Sequence, residues 1–156
     1  VDDNFTSFED QPITINTLAN DRDIDGDAIS VTSAAAAHGN VNVVKRLLYD
    51  CADVNAKDKS GKIPLHIAAS HNQAEIVKLF LESGVDINVL TNEYRAKTPL
   101  HIAAEFGAID VTKLLIANGA DVNAKDNDVT TTLDSADAGT VDLLCKHGGI
   151  SEPTRP

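Results

Sequence analysis

Apolar residues recur at helical spacing in four successive segments of the chain. In three of them the apolar positions follow i, i+3 and i+4, which places them on one face of a helix, and in the remaining one a threonine takes the first position. The four sets are Val44/Leu47/Leu48, Val77/Phe80/Leu81, Thr112/Leu115/Ile116 and Val141/Leu144/Cys145. Two of them follow a shorter alanine-rich stretch that begins with a proline, Pro64 or Pro99. Because proline suits the first helical turn, the pattern predicts successive pairs of short helices.

Two hexapeptides recur along the chain and set the period of this pattern. Pro64–Ala69 recurs letter for letter at Pro99–Ala104, an offset of 35 residues, and Asp53–Asp58 recurs at Asp121–Asp126. A shorter copy of the second hexapeptide, Asp86–Asn88, lies 33 residues after its first copy and 35 residues before its last. One connection between units has therefore gained two residues. No single unit of this size can bury its apolar face, and the units must therefore stack.

The hexapeptides, the Gly119–Asn123 segment and the 33-residue period resemble the ankyrin repeat. The resemblance implies an all-α solenoid of about four helix-pair units joined by short hairpin loops. It also implies a structural role for His66 and His101, which bond to the neighbouring loop in such repeats. The units are placed at about residues 31–61, 62–95, 96–128 and 129–152, with a tail at 153–156.

The first and last units depart from the pattern. Ile29–Thr32 and Thr131–Asp134 stand where the proline-led element belongs, and the last unit lacks four residues, which predicts a shortened C-terminal capping helix pair. Cys51 occupies a position that glycine holds in the next two units. Because a left-handed conformation costs a side chain about 1 kcal/mol, we expect the first unit to end differently. Val129 also replaces a customary glycine, so the last hairpin is expected to lose its tight turn.

Residues 1–30 differ in composition from the rest of the chain, because they contain eight acidic residues and a single arginine. Within them Glu9–Asn16, Leu18–Asp21 and Asp23–Asp27 resemble the opening of a bacterial cadherin-like repeat of the VCBS type. More than half of such a repeat is missing, and half of a β-sandwich has an unpaired sheet edge and cannot enclose a hydrophobic core. We therefore expect a short β-like or poorly ordered segment.

Four aspartates of this segment have the alternating spacing of a calcium loop: Asp21, Asp23, Asp25 and Asp27. The twelfth position is Thr32, where a bidentate glutamate would complete an EF-hand. The alternatives are a weak calcium site and a solvated turn between two strands. No other cofactor is expected.

Charge and composition narrow the class of partner. A formal net charge of −11 repels phosphate backbones and anionic lipid, and no apolar run approaches the roughly 20 residues of a membrane span. We therefore expect a monomer with a protein partner and no nucleic-acid or membrane role. Cys51 and Cys145 lie three repeats apart, too far for a disulfide, and free thiols fit an intracellular protein. The cadherin-like resemblance leaves a secreted bacterial protein open.

The chain offers no serine–histidine–acid set, phosphate-binding glycine loop or paired carboxylates, so no catalytic residue is assigned. The ankyrin resemblance implies a protein–protein interaction module that binds its partner through hairpin tips and first-helix surfaces. The alternatives are a calcium-dependent adhesive or extracellular structural segment, and a targeting or spacer part of a larger secreted effector. The predicted contact residues are Lys59, Ser60, Lys62, Ser70, His71, Tyr94, Arg95, Lys97, Glu105, Phe106, Asn127 and Asp128.

Overall fold

The computed structural model describes residues 27–151, and this part of the chain forms seven helices. They are α1 (Asp27–Ala37), α2 (Val41–Tyr49), α3 (Pro64–Ser70), α4 (Ala74–Glu82), α5 (Pro99–Glu105), α6 (Ile109–Ala117) and α7 (Ala138–Lys146). Successive helices pair as α1/α2, α3/α4 and α5/α6, and α7 belongs to the last unit. The predicted all-α solenoid is confirmed. Residues 1–26 and the tail, and with them the expected β-like segment, lie outside the described residues.

The first helix of each central unit is short because its sequence starts and stops it. Pro64 and Pro99 occupy the first turn of α3 and α5, where their fixed φ fits the helix and their missing amide costs nothing. Each helix ends within two turns. A residue in left-handed conformation follows, Asn72 with φ 52° or Gly107 with φ 64°, and reverses the chain into the second helix.

The core lies between the two rows of helices and runs continuously along the stack. Leu65, Phe80, Leu100 and Leu115 have no solvent-exposed surface. Two alanines in each first helix are also buried, and their small side chains let α1, α3 and α5 pack directly on one another. They are Ala35, Ala36, Ala68, Ala69, Ala103 and Ala104. The second helices α2, α4, α6 and α7 form the other row. Each unit thus buries its apolar face on its neighbours, as the repeat period requires.

Helix α1 begins at Asp27, four residues before the expected boundary of the repeats at residue 31. Asp27 and Ala28, expected to belong to a β-like or poorly ordered segment, are helical together with Ile29 and Ser30, which stand where the proline-led element belongs. No glycine or proline separates them from the alanine-rich sequence that follows, and a helix, once nucleated, propagates through such residues.

The capping helix pair expected at the C-terminus is only half present. Residues 132–135 form a turn in place of a first helix. The Thr131 amide donates to the Asp134 carboxylate at 3.0 Å, and the Thr131 hydroxyl donates to the Ile150 carbonyl at 2.8 Å. Such side-chain bonds compete with helix formation. With four residues deleted, the turn closes the unit and α7 covers the stack alone.

Contrary to the expectation from the sequence, Cys51 and Val129 leave the backbone in the conformation that glycine would adopt. Cys51 has φ 61° and Val129 has φ 66°, so each adopts the left-handed conformation of the glycine that it replaces. The amides of Cys51 and Ala52 donate to the carbonyls of Leu48 and Leu47 at 3.2 and 2.9 Å, which is the usual left-handed helix end. The last hairpin keeps its tight turn, since the Val129 amide donates to the Asp126 carbonyl at 3.0 Å.

Leu100→Ala is expected to lower the free energy of unfolding by about 2–5 kcal/mol, because it opens a cavity at a fully buried position. The matched control is Leu90→Ala, since Leu90 is 42% exposed and should lose far less. Urea unfolding followed by circular dichroism measures both. If the Leu100 variant is as stable as the wild type, the register assigned to the repeats is wrong.

Cys51→Gly is expected to raise the free energy of unfolding by about 0.5–1 kcal/mol, because glycine relieves the left-handed strain at an exposed position. Cys51→Ala removes the thiol and keeps the Cβ atom, so it should leave stability nearly unchanged. Thermal unfolding of the two variants separates strain from loss of sulfur. Equal effects of glycine and alanine would show that backbone strain does not limit stability here.

Candidate protein-binding surface

Each hairpin loop is held by one polar side chain at its base. The Asp58 carboxylate accepts from the Ser60 and Lys62 amides, both at 2.8 Å. The Asp126 carboxylate accepts from the Asp128 and Thr130 amides in the same way, both at 2.9 Å. The lengthened middle hairpin uses the Thr91 hydroxyl, which accepts from the Lys97 amide at 3.1 Å. Each of the three loops is therefore closed at its base by side-chain hydrogen bonds, although the loops differ in length.

Buried histidines fix these hairpins against the first helices. His66 Nδ1 accepts from the Ile63 amide at 3.2 Å, and its Nε2 donates toward the Val89 and Lys97 carbonyls at 3.2 and 3.3 Å. His101 repeats the arrangement one unit later, with Nε2 3.4 Å from the Thr130 carbonyl oxygen. The implied structural role of both histidines is confirmed, because each ring joins its own helix start to the next hairpin.

Burial keeps both imidazoles neutral. Desolvation lowers the pKa of His66 to about 4, with a smaller contribution from the charge of Lys62, against the opposing hydrogen bonds to the Lys97 and Val89 carbonyls. Desolvation also lowers the pKa of His101. A neutral ring can accept at Nδ1 while donating at Nε2, which is the arrangement that both sites require.

Adjacent hairpin tips are joined by ion pairs and amide bonds. Lys62 Nζ lies 2.8 Å from Glu93 Oε1, and Arg95 Nε lies 2.8 Å from Asp128 Oδ2. The Asn127 side-chain amide donates to the Tyr94 carbonyl at 3.0 Å. Three of the charged tip residues predicted as contacts, Lys62, Arg95 and Asp128, are thus already paired within the molecule.

A cleft of about 250 Å³ lies between the tips and the first helices of the two central units. Lys97 and Glu105 both line the cleft, and Lys97 Nζ lies 2.6 Å from Glu105 Oε2. The lining residues are Lys62, His66, Ile67, Ser70, Glu93, Lys97, Ile102, Glu105 and Phe106. Five of the predicted contact residues therefore meet in one concave site.

Two aromatic side chains stand exposed on this face. Tyr94 is 83% exposed at the tip of the middle hairpin, and Phe106 is 65% exposed at the end of α5. Because both keep most of their surface, the longer loop does not fold back to bury Tyr94 on Phe106. Phe106 belongs to the cleft wall, whereas Tyr94 projects from the tip.

The remaining predicted residues are spread around the cleft. Asn127 and Asp128 lie on the last tip, Lys59 is exposed on the first, and His71 is exposed at the end of α3. The Ser60 carbonyl accepts from the Asn92 amide at 2.8 Å, so Ser60 is part of the link between the first and middle tips. Lys59 and His71 do not line the cleft.

Sequence reasoning missed Glu93, Ile67 and Ile102 as cleft residues. The two isoleucines occupy equivalent positions of the repeated hexapeptide, which was a usable signal. Glu93 lies in the inserted loop, whose path no repeat position defines.

The expected calcium ligands Asp21, Asp23 and Asp25 lie outside the described residues, and Asp27 is the first residue of α1. Within residues 27–151 no cluster of three or more histidine, cysteine or acidic residues is arranged to hold a metal ion. Cys51 and Cys145 are exposed free thiols, as expected from their separation.

A family model for ankyrin repeats matches residues 16–126 in three copies. The chain belongs to the ankyrin-repeat family. The match begins inside the segment that resembles a cadherin-like repeat, and the comparisons do not show the cadherin-like resemblance. Ankyrin repeats are generally protein–protein interaction modules, and the family is typically non-catalytic.

Several curated proteins are similar to this chain over part of its length. Delta-latroinsectotoxin-Lt1a of Latrodectus tredecimguttatus is 41% identical over 66 residues, covering 41% of this chain and 5% of the toxin. Putative ankyrin repeat protein FPV230 of Fowlpox virus (strain NVSL) is 42% identical over 50 residues, 32% of this chain and 27% of that protein. Palmitoyltransferase akr1 of Schizosaccharomyces pombe is 40% identical over 63 residues, 40% of this chain and 10% of the enzyme. The chain thus spans about a quarter or less of these relatives.

Among residues 27–151, no helix has both the length and the apolar character needed to span a bilayer.

Acidification is expected to destabilise the stack through His66. Between pH 6.5 and about 4 the unfolded state binds a proton at this ring and the folded state does not. The contribution of this ring to the free energy of unfolding should therefore be complete above pH 6.5 and fall by about 1.4 kcal/mol per pH unit as the pH is lowered through this range. Chemical denaturation at several pH values between 7 and 4.5 measures the slope.

His66→Gln should reduce the slope and also lower stability at pH 7, because glutamine does not titrate. A residual slope in the same direction is expected from His101, whose pKa burial also lowers. His71→Gln is the control, since this histidine is exposed, and its slope should match the wild type. An unchanged slope in the His66 variant would place the titrating group elsewhere.

Proposed function

We propose that this chain is a non-catalytic interaction module that binds a protein partner in the concave cleft and on the adjoining hairpin tips. The observation that carries the proposal is the exposure of Tyr94 and Phe106 beside a cleft whose charges are already paired. Large exposed aromatics at a concave site are the usual anchors of protein recognition. Family membership supports the general class, and the residues supply the location.

The paired charges favour a partner that brings apolar side chains to the cleft. Lys97 has a side chain only 17% exposed and is held by Glu105, while Lys62 is held by Glu93. Breaking such a pair to contact a new ion would leave one charge unpartnered, which is costly where water is partly excluded. An apolar side chain that packs on the exposed ring of Phe106 in the cleft wall needs no new charge partner.

The hairpin row has the rigidity that a binding surface needs. Arg95 and Asp128 fix one tip to the next, and the Tyr94 carbonyl is held by Asn127. The backbone of Tyr94 is therefore anchored although its ring is free in solvent. A partner that meets a pre-ordered surface loses less conformational entropy on binding.

The adhesive and effector alternatives gain no observation from the described residues. The calcium loop lies mainly outside them, and the relatives match over too small a share of their length to transfer an activity. We also propose that the chain acts as a monomer.

Tyr94→Ala and Phe106→Ala, tested separately, are each expected to weaken partner capture about tenfold or more, the scale of a binding hot spot. Their melting temperatures should stay close to the wild type, because both rings are exposed. Immobilised protein, a cell lysate and quantitative mass spectrometry identify the captured partner, whose affinity is then measured with purified components.

Tyr49→Ala is the matched control for loss of an exposed aromatic, because Tyr49 is 80% exposed on α2 and does not line the cleft. Capture should be unaffected in this variant. Capture that survives both test substitutions, or that falls equally in the Tyr49 variant, would remove the cleft and its tips from the binding surface.

A further inference from the structure

The middle hairpin tip, residues 92–97, rests against the first tip at a glycine. The Asn92 amide donates to the Ser60 carbonyl at 2.8 Å, and the next residue of the first tip is Gly61. A Cβ atom on Gly61 would lie 2.4 Å from the Asn92 backbone nitrogen and 2.5 Å from the Asn92 Cγ atom. Because one of these atoms belongs to the backbone, rotation of the Asn92 side chain alone could not make room. The middle tip can therefore take this place only beside a glycine.

The contact with Asn92, and not the backbone conformation, makes glycine necessary here. Gly61 has φ 72°, and its counterpart in the last tip, Val129, has φ 66°. Their amides make the same turn bond, to the Asp58 carbonyl at 2.9 Å and to the Asp126 carbonyl at 3.0 Å. Val129 is nevertheless a β-branched residue and is 43% exposed, whereas Gly61 is buried. A side chain thus fits the same turn in the last tip, on which no other tip of the described residues packs.

The middle tip is held on both of its sides. Towards the first tip, Lys62 Nζ lies 2.8 Å from Glu93 Oε1, directly after the contact of Asn92. Towards the last tip, the Asn127 side chain donates to the Tyr94 carbonyl at 3.0 Å. The Tyr94 ring is 83% exposed between these two attachments. Since Tyr94 follows Asn92 by only two residues, a side chain that displaces Asn92 also displaces the backbone that carries this ring.

We propose that Gly61 is a positioning residue of the protein-binding surface. Its missing side chain lets the middle tip dock on the first tip, and this docking sets where the Tyr94 ring stands. The inference rests on the proposed function, because it takes Tyr94 as an anchor for the partner. Gly61 is buried and acts through Asn92 and Tyr94 without touching the partner. A residue outside the contact surface thus controls the position of one of its anchors.

Comparison of Gly61→Ala with Gly84→Ala separates the contact from backbone strain. Gly84 has φ 82°, and a Cβ atom there would meet nothing within 4 Å. Both variants therefore place alanine in a left-handed conformation, but only the first adds a contact with Asn92. Hydrogen exchange of the Asn92 amide, measured by NMR, should accelerate about tenfold in the Gly61 variant, because its bond to the Ser60 carbonyl opens. In the Gly84 variant the exchange rate should match the wild type.

Affinity for the purified protein that the wild-type chain captures is the second measurement. Gly61→Ala should weaken this affinity about tenfold, on the scale expected for loss of the Tyr94 ring, and Gly84→Ala should leave it unchanged. Combined with Tyr94→Ala, the Gly61 substitution should cause no further loss, because the ring that it displaces is absent. A purely structural role of Gly61 would instead give losses that add.

Glu93→Ala loosens the same side of the middle tip without backbone strain, because it removes the ion pair with Lys62. Exchange of the Asn92 amide should accelerate about twofold in this variant, since an ion pair of this exposure contributes modestly. The variant tests the docking of the tip even if Gly61→Ala is poorly folded. Circular dichroism measures the helical content of every variant.

The inference would be overturned by unchanged exchange of the Asn92 amide in the Gly61 and Glu93 variants, by equal acceleration in the Gly84 variant, or by affinity losses that add. Loss of affinity in Tyr94→Ala with none in Gly61→Ala would also overturn it and would leave the proposed function intact. Retained affinity in Tyr94→Ala would overturn the proposed role of Tyr94, and exchange of the Asn92 amide would still show whether Gly61 places the tip.

Discussion

The buried histidine bridge determines where the hairpins lie relative to the first helices. His66 accepts a hydrogen bond from the start of its own helix and donates to carbonyls of the following hairpin. The ring thereby joins the start of the helix to the hairpin that follows it. His101 repeats the link, so each hairpin is placed relative to the helix before it. Since Nδ1 can accept a hydrogen bond only in the neutral ring, burial that lowers the pKa of His66 belongs to the same mechanism.

With the hairpins placed in this way, the character of the concave face follows from which charges find partners. Glu93 in the lengthened loop reaches Lys62 of the preceding tip, and Arg95 reaches Asp128 of the next. The lengthened loop thus joins the middle tip to both of its neighbours. The aromatic ring of Tyr94 stands between these two pairs in sequence and has no such partner, and it remains in solvent. Pairing of the charges leaves the aromatics as the groups with surface still to bury.

The repeat pattern predicted most of the fold, because period, proline and apolar spacing act locally in every unit. It failed where a unit departs from the pattern. Side-chain bonds from Thr131 replaced a helix with a turn, and helix propagation carried α1 back to Asp27. Cys51 and Val129 show that a residue other than glycine can adopt the left-handed backbone conformation of a helix end or a tight turn, at a cost of about 1 kcal/mol. The cleft was predictable where its residues occupy repeated positions, but the ion pairs of the inserted loop depend on its path through space.

The two faces of the stack differ in how they relate to the repeat. Hairpin tips vary in length and charge from unit to unit, so the concave face is particular to this chain. On the back, Glu75 and Lys78 of one unit correspond to Asp110 and Lys113 of the next, so charge order is copied along with the helix. A surface that is copied from unit to unit offers a partner fewer distinguishing features than an irregular one. The variation among the hairpin tips is therefore the feature of this stack that could distinguish one protein partner from another.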